Sequence, residues 1–209
     1  MIGLIMTRFA VIYYSSTGSV HDLAEAYAAG AEEAGAEVRL RRVAELVPHE
    51  IVEANEAWRD HLEVTADIPT ADIKDLIWAD GFALGTPTRF GQPASQLKQF
   101  IDSASAAWSA GHLAGKPASG FTSAHERHGG HEATLLALYH TFCHWGSIIV
   151  PTGYENYDVA HAAGGNPYGV SSIGSEGAPG LAVLEQARYQ GHRLAMLART
   201  MKDSRVEAA

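Results

Sequence analysis

Apolar residues along the chain fall alternately into short continuous runs and into longer stretches of helical spacing. Residues 9–15 (FAVIYYS) form a β-branched and aromatic run, which predicts a buried strand that ends in a polar loop. Residues 20–34 then place apolar side chains at helical spacing, and Gly35 predicts the end of that helix. Residues 36–43 alternate apolar and charged positions, which favours a strand near a sheet edge.

The same alternation continues through the rest of the chain. Residues 44–70 predict a mixed helical and loop segment. Further strands are predicted at 81–87, 116–124 and 147–154, and further helices at 71–79, 93–108, 131–146 and 181–201. The glycine-rich stretch 160–180 predicts a long loop.

Five β–α pairs in succession predict an α/β fold with a parallel sheet and helices on both faces. Five strands in 209 residues fit a doubly wound, flavodoxin-like sheet with strand order 2-1-3-4-5. We expect a single domain over residues 1–209, with residues 1–7 as a ragged lead-in and 202–209 as a tail. In such a sheet, ligands bind beyond the carboxyl ends of the strands, so the loops there are the candidate site.

Composition excludes several classes of partner. A formal net charge of −9 argues against nucleic acid, because phosphate backbones need a basic face. The chain has no run of 18 apolar residues, which argues against a membrane-spanning helix. The single cysteine, Cys143, cannot form an internal disulfide, which favours a reducing, cytoplasmic compartment, and its apolar neighbours predict a buried side chain.

The loop after the first strand, SSTGSV, opens a helix and is rich in hydroxyl groups. It comprises Ser15, Ser16, Thr17, Gly18, Ser19 and Val20. Amide groups at a helix N-terminus together with hydroxyl donors form a phosphate cradle. The loop has neither the lysine of a nucleoside-triphosphate loop nor a GxGxxG pattern, so it suits a phosphate held by neutral donors, as in a flavin mononucleotide. The alternative is an ordinary helix cap.

The loop after the third strand, TPTRFGQP, is stiffened by two prolines. Its candidate ring-contacting residues are Pro87, Thr88, Arg89, Phe90 and Gly91. A rigid backbone of this kind can hold donors and acceptors at a fixed distance from a planar flavin ring, and Arg89 can balance negative charge on it. The alternative is that Arg89 is a solvated loop charge and Phe90 a core residue.

The loop after the fourth strand, TSAHERHGGHE, is expected to form the third wall of the cofactor pocket, with Ser123 and Ala124 as candidate cofactor-binding residues. His125, His128 and His131 raise the alternative of a metal site, but the intervening glycines and the lack of a clear carboxylate partner argue against one. Two further side chains stay ambiguous. Trp108 is either a core residue or a lid over a flat substrate, and His144 is either a core histidine or a polar contact to the ring.

The motifs YYSSTGSV, GTPTRFG, AHAAGGNPYG and ARYQG, in this order, resemble the WrbA-type NAD(P)H:quinone oxidoreductases over nearly the whole chain. The first and third loops depart from the usual family pattern, at Thr17 and Ser19 and in the stretch SAHERHGG.

This resemblance implies FMN as the cofactor, with residues 15–20 on its phosphate, and residues 87–91, Ser123 with its loop and His144 on the ring or ribityl chain. It also implies that Trp108 and Thr17 contact the nicotinamide cofactor or the quinone. No protein side chain is assigned a catalytic role, because the flavin carries the chemistry.

The family resemblance further implies NADH or NADPH and quinones as substrates, two-electron reduction in a ping-pong order, and a homotetramer. The two rival functions are a flavodoxin-type one-electron carrier that binds redox partners, and a structural or regulatory protein with an empty site.

Overall fold

A parallel sheet with strand order β2-β1-β3-β5-β6 forms the centre of the protein. The computed structural model describes residues 6–207, and the side chains of residues 6–202. The strands are β1 (Arg8–Tyr13), β2 (Glu37–Arg42), β3 (Gly81–Arg89), β4 (Gln92–Pro93), β5 (Pro117–Ala124), β6 (Ile148–Ile149) and β7 (Val170–Ile173). Every pairing is parallel except that of β3 with β4. The predicted α/β, flavodoxin-like order is confirmed, with β2 at a sheet edge.

Helices cover both faces of the sheet. They are α1 (Ser19–Glu33), α2 (His49–Glu53), α3 (Glu56–Val64), α4 (Ile73–Trp78), α5 (Ser95–Ser103), α6 (Ser105–Ser109), α7 (His131–Trp145), α8 (Tyr157–Ala162) and α9 (Leu181–Glu207), with a 3₁₀ turn at Gly174–Glu176. Among residues 6–207, no helix is both long and apolar enough to cross a membrane.

Alternate residues of β1 build two separate cores, because successive side chains of a strand point to opposite faces. Ala10 and Ile12 belong to the core that includes Leu97 of α5 and Phe142 of α7. Phe9, Val11 and Tyr13 belong to the core that includes side chains of α1 and α9. The sheet is therefore buried on both sides, and its ligand-binding edge is left at the strand ends.

The fifth position of the sheet is divided between two short strands. β6 pairs with Pro117 and Ala118 at the start of β5, whereas β7 pairs with the second half of β5, from Phe121 to Ala124. The predicted strand at 147–154 is thus only two residues long, since Pro151 cannot donate to a ladder. The predicted loop at 160–180 contains β7 and the end of α8.

Two further predicted boundaries differ. The helix predicted at 93–108 begins only at Ser95, because Pro93 is paired with Thr88 in the β3–β4 hairpin. It is also divided at Ala104 into α5 and α6. α9 continues to Glu207 through most of the predicted tail. Residues 1–5 of the predicted lead-in lie outside the described residues.

Candidate active site

Three loops that follow β1, β3 and β5 converge on one crevice of about 130 Å³. Its walls comprise Ser15, Ser16, Thr17, Ser19, Val20, Pro87, Thr88, Arg89, Ser123, Ala124, His125 and Gly174. Ten of these twelve residues are among the cofactor-binding candidates chosen from the sequence. The parallel register explains this convergence, since Pro87 of β3 lies opposite Ser123 of β5.

The first loop presents the open N-terminus of α1 to the crevice. Gly18 has a φ of 108°, a left-handed conformation that glycine adopts without strain, and its amide donates to Ser15 Oγ at 3.1 Å. Among the described residues, no side chain caps this helix. Helix amides that have no side-chain acceptor are the donors that an anionic phosphate needs.

The second loop is a tight hairpin rather than an irregular turn. Phe90 and Gly91 connect Arg89 to its partner Gln92, and both have positive φ, at 53° and 75°. This is the pattern of a type I′ turn, in which the first position normally carries Asn, Asp or Gly. Phe90 is fully exposed, so the alternative that it is a core residue is wrong.

Arg89 bridges the second loop to the first. Its Nη1 donates to the carbonyl of Thr88 at 3.0 Å, and its Nη2 lies 3.3 Å from Ser16 Oγ as a donor. The exposed guanidinium therefore joins the two loops and lines the crevice, while its contact with the ring stays a prediction. It is the only arginine or lysine among the described lining residues.

Buried threonine hydroxyls fix the second loop against β5 and α7. Thr122 Oγ1 donates to the carbonyl of Thr86 at 2.7 Å and lies 3.2 Å from Thr88 Oγ1. Thr134 of α7 donates to the same Thr88 hydroxyl at 3.2 Å, and the Ala94 amide donates to Thr86 Oγ1 at 2.9 Å. These bonds hold the crevice wall in one position without placing a charge there.

Two lining residues, His125 and Gly174, were not among the sequence candidates. The amide of Ser175 donates to the His125 carbonyl at 2.8 Å, which joins the third loop to the turn after β7. Because β7 was not predicted, there was no reason to place Gly174 at the same sheet edge. The tripeptide Ser171–Ser172–Ile173 before Gly174 carries only a weak strand signal.

Trp108 and His144 lie together, but away from the three loops. Trp108 Nε1 donates to the His144 carbonyl at 2.7 Å, and both side chains are exposed. α7 begins beside the crevice at His131 and runs antiparallel to β5, so His144 lies about 20 Å along the helix from that end. Within one chain, neither side chain reaches the crevice.

Cys143 lies in the same part of α7 and is exposed. The prediction of a buried thiol is wrong, because α7 packs its other face against the sheet through residues such as Phe142 and Trp145. Among residues 6–202, no three His, Cys, Asp or Glu side chains are close enough together to hold a metal ion.

A pair of histidines lies next to the first loop, outside the crevice. His21 Nδ1 lies 2.7 Å from the Tyr13 hydroxyl, and the His61 ring centroid is 5.5 Å from that of His21. Burial, and then the charges of His21 and Arg42, lower the pKa of His61 to about 4. Burial also raises the pKa of the Tyr13 hydroxyl. Both groups are therefore neutral near pH 7.

These features fit flavin mononucleotide. Free helix amides and serine hydroxyls suit its phosphate, and the rigid hairpin suits its planar ring. The crevice of about 130 Å³ is open to solvent on one side.

Comparisons with known proteins agree with this site. An NAD(P)H dehydrogenase (quinone) of Methylocella silvestris is 41% identical to this chain over 203 residues. The match covers 94% of this chain and all of that protein. A protein of the same name from Deinococcus radiodurans is 42% identical over 172 residues, covering 82% of this chain and 85% of its own. These names agree with the predicted enzyme class.

Among solved structures, a flavodoxin, WrbA-like protein from Agrobacterium tumefaciens superposes with a TM-score of 0.65. It is 26% identical and covers 93% of this chain and 98% of its own. The sequence pattern of the NADPH-dependent FMN reductase family matches residues 7–162. FMN is thereby confirmed as the cofactor. The chain belongs to the NADPH-dependent FMN reductase family, as the resemblance of its loop motifs to the WrbA-type oxidoreductases predicts.

Proposed function

We propose that this protein is an FMN-dependent NAD(P)H:quinone oxidoreductase that reduces quinones by two electrons. The observation that carries the proposal is the convergence of the three loops on one uncharged phosphate cradle beside a rigid, arginine-bearing hairpin. The names of the relatives at about 40% identity support quinones as acceptors. FMN supplies the hydride chemistry when it is bound, and the protein supplies binding, orientation and electrostatics.

Each loop has a distinct task in this proposal. Residues 15–20 hold the phosphate with amides and hydroxyls, whereas Pro87, Thr88 and Arg89 orient the ring and place one positive charge beside it. Ser123 and Ala124, with His125, close the third side. No side chain here is needed as a general acid or base, because the crevice is open to water, which can supply protons.

NAD(P)H and quinone use the same open face in turn, which gives a ping-pong order. The crevice is open to solvent, so a flat substrate can approach a cofactor that is bound there. Thr17 is an exposed lining residue of the crevice, which supports a contact with the nicotinamide cofactor. We propose a cytoplasmic location on the grounds of the single, unpaired cysteine.

We also propose that the protein is a homotetramer in which Trp108 and His144 of one copy complete the site of another. Both side chains are exposed on the side of the molecule that lies away from the three loops. Only a neighbouring copy can therefore bring them to the cofactor. The exposed Phe90 at the hairpin tip is available for the same contact.

The test is steady-state oxidation of NADH and of NADPH by FMN-loaded protein with benzoquinone as the acceptor. We expect a flavin absorbance spectrum, rapid NAD(P)H consumption, and parallel double-reciprocal plots when both substrates are varied. Consumption no faster than with free FMN would contradict the enzymatic assignment and favour a one-electron carrier. Absence of flavin binding at saturating FMN would leave only a structural role for the fold.

A further inference from the structure

Glu45 is a half-buried carboxylate outside the crevice, and it has donors on both oxygens. It lies between β2 and α2, in a segment for which the sequence predicts no function. Its Oε2 accepts from the Tyr14 hydroxyl at 2.7 Å and from Trp58 Nε1 at 3.0 Å. Its Oε1 accepts from the amides of Leu46 and Val47, both at 2.9 Å, and from Gln96 Nε2 at 2.6 Å.

Two of these donors belong to the chain segments that carry the cofactor loops. Tyr14 directly precedes Ser15, the first residue of the phosphate loop. Gln96 is the second residue of α5, which begins directly after the β3–β4 hairpin and Ala94. The Gln96 amide nitrogen also donates to the Tyr14 hydroxyl at 2.9 Å, so Glu45, Tyr14 and Gln96 form a closed triangle of hydrogen bonds.

We propose that Glu45 is a positioning residue for FMN, which sets the distance between the phosphate loop and the ring loop through Tyr14 and Gln96. A ligand that spans both loops binds tightly only when that distance is correct. In the protein, β1 and β3 are neighbours, but their loops leave the sheet separately, and the triangle is a side-chain connection between them. Arg89 provides a second connection on the crevice side.

The arrangement requires a carboxylate rather than an amide. Five N–H or O–H groups donate hydrogen bonds to the two carboxylate oxygens of Glu45. A glutamine at this position would have only one acceptor oxygen, and its NH₂ group would point at other donors. Burial alone would raise the pKa of Glu45, but hydrogen bonds from Val47, Gln96, Tyr14 and Leu46 lower it overall. Burial, and then the bond to Glu45, raise the pKa of Tyr14, so its hydroxyl stays a donor. The carboxylate is therefore ionised at neutral pH, and both of its oxygens accept hydrogen bonds.

The experiment compares FMN with riboflavin, which has the same ring and no phosphate, on apoprotein carrying Glu45→Gln. Binding is followed by quenching of flavin fluorescence, and unfolding by circular dichroism of the same samples. We expect the Kd for FMN to rise about tenfold or more, the effect of losing a charge-assisted hydrogen bond. The Kd for riboflavin should rise much less, because riboflavin does not have to reach both loops.

Trp58→Phe is the matched control. It removes a donor from the same carboxylate oxygen, but Trp58 lies on α3, and its described hydrogen bonds go to Glu45 and Asn55 and not to the phosphate loop or the ring loop. We expect it to leave the ratio of the two Kd values at the wild-type level, whatever it does to the unfolding temperature. Equal losses of FMN and riboflavin binding in Glu45→Gln, or no loss, would overturn the proposal and leave Glu45 a stabilising residue only.

Tyr14→Phe keeps the test decisive if Glu45→Gln does not fold. It deletes only the hydroxyl that connects Glu45 to the phosphate loop, and a selective loss for FMN is again expected. An unchanged ratio in Tyr14→Phe would overturn the proposal. The inference rests on FMN binding and not on the electron acceptor. Wild-type protein that binds no flavin would contradict the proposed function, whereas a normal wild type with an unaffected variant would contradict this inference alone.

Discussion

Arg89 connects two loops that belong to different strands, which makes it the side chain whose removal tests the crevice most directly. Arg89→Ala deletes the donor to Ser16 Oγ and the positive charge beside the ring site. We expect the Kd for FMN to rise about tenfold, which corresponds to roughly 1.4 kcal/mol, and flavin reduction by NADH to slow. Fluorescence titration and stopped-flow absorbance measure the two effects.

Arg89→Lys separates charge from geometry. A lysine keeps the charge but lacks the planar fork with which Arg89 contacts Thr88 and Ser16 together. An intermediate Kd is therefore expected. If the alanine variant binds and reduces flavin like the wild type, the assignment of Arg89 to the ring does not hold.

The sequence predicts single residues well where local chemistry decides their place. Ser15 comes shortly after β1 and Thr88 lies near the end of β3, so both were expected at the carboxyl edge of the sheet. Phe90 and Cys143 show where this reasoning fails, because both look apolar and both are exposed. Their exposure depends on a left-handed turn and on which face of α7 meets the sheet, and neither follows from hydrophobicity alone.

At the scale of elements, the crossing of α1 and α9 depends on two glycines. A Cβ atom at Gly30 would overlap the Arg188 carbonyl, and one at Gly191 would overlap the Tyr27 carbonyl. The helices therefore approach with backbone against backbone. We expect Gly30→Ala to lower the free energy of unfolding by about 2 kcal/mol or more, since overpacking outweighs the better helix propensity of alanine.

Chemical denaturation measures this change, and Gly180→Ala is its control. A Cβ atom at Gly180 would meet open space among the described residues, and Gly180 does not have the positive φ that would strain an alanine. The control should alter stability by less than about 0.5 kcal/mol. If Gly30→Ala and Gly180→Ala have the same free energy of unfolding, the close approach of α1 and α9 at Gly30 does not contribute to stability.

The partly buried His61 of α3, whose ring lies beside that of His21 in α1, makes stability depend on pH. The pKa of His61 is lowered to about 4, below its ordinary value of 6.5, chiefly by burial. As the pH falls below 6.5, His61 becomes protonated in the unfolded chain but stays neutral in the folded protein. The free energy of unfolding therefore decreases between pH 6.5 and about pH 4. His61→Asn should lose less stability over this interval in thermal unfolding scans.

His112→Asn is the control for that experiment, because His112 is exposed on the loop after α6. It should show the acid sensitivity of the wild type. A wild-type unfolding temperature that stays flat as the pH falls from about 6.5 towards 4 would contradict the neutral, partly buried state of His61.

Element order was predictable because each strand and helix carries its own periodicity, as β1 and α1 do. The division of the fifth strand was not predictable, because β6 has two residues and β7 has four, both too short to show a period. Their positions are set by pairing with β5, which is a long-range effect. Gly174 of the crevice was missed for the same reason.

At the scale of the whole molecule, all described strands belong to one sheet, while the assignment of a single domain stays a prediction. Among the exposed aromatic side chains, Phe90 lies beside the crevice and Trp108 lies at the far end of the molecule. Aromatic side chains are enriched at protein–protein interfaces, so both are candidates for a contact with another chain. Complementation between two defective variants tests whether that chain is a second copy of this one.

The two variants are Arg89→Ala, which removes the guanidinium from the crevice, and Trp108→Ala, which removes the exposed indole at the far end of the molecule. Each is expected to reduce quinone-dependent NADH oxidation when it is alone. If a site combines Arg89 of one copy with Trp108 of another, co-refolding the two variants in equal amounts restores both residues in about one site in four. Activity should then exceed the mean of the two separate variants.

Size-exclusion chromatography of the same samples shows whether the chains assemble, and unmixed variants refolded alone give the baseline. Activity equal to the mean of the two baselines, in a sample that does assemble, would place Trp108 outside the site. That result would leave the crevice as a site built by one chain, and the half-exposed Trp108 as a surface residue held by its bond to the His144 carbonyl. Activity above the mean can arise only if residues from different copies meet, because no single chain in the mixture carries both side chains.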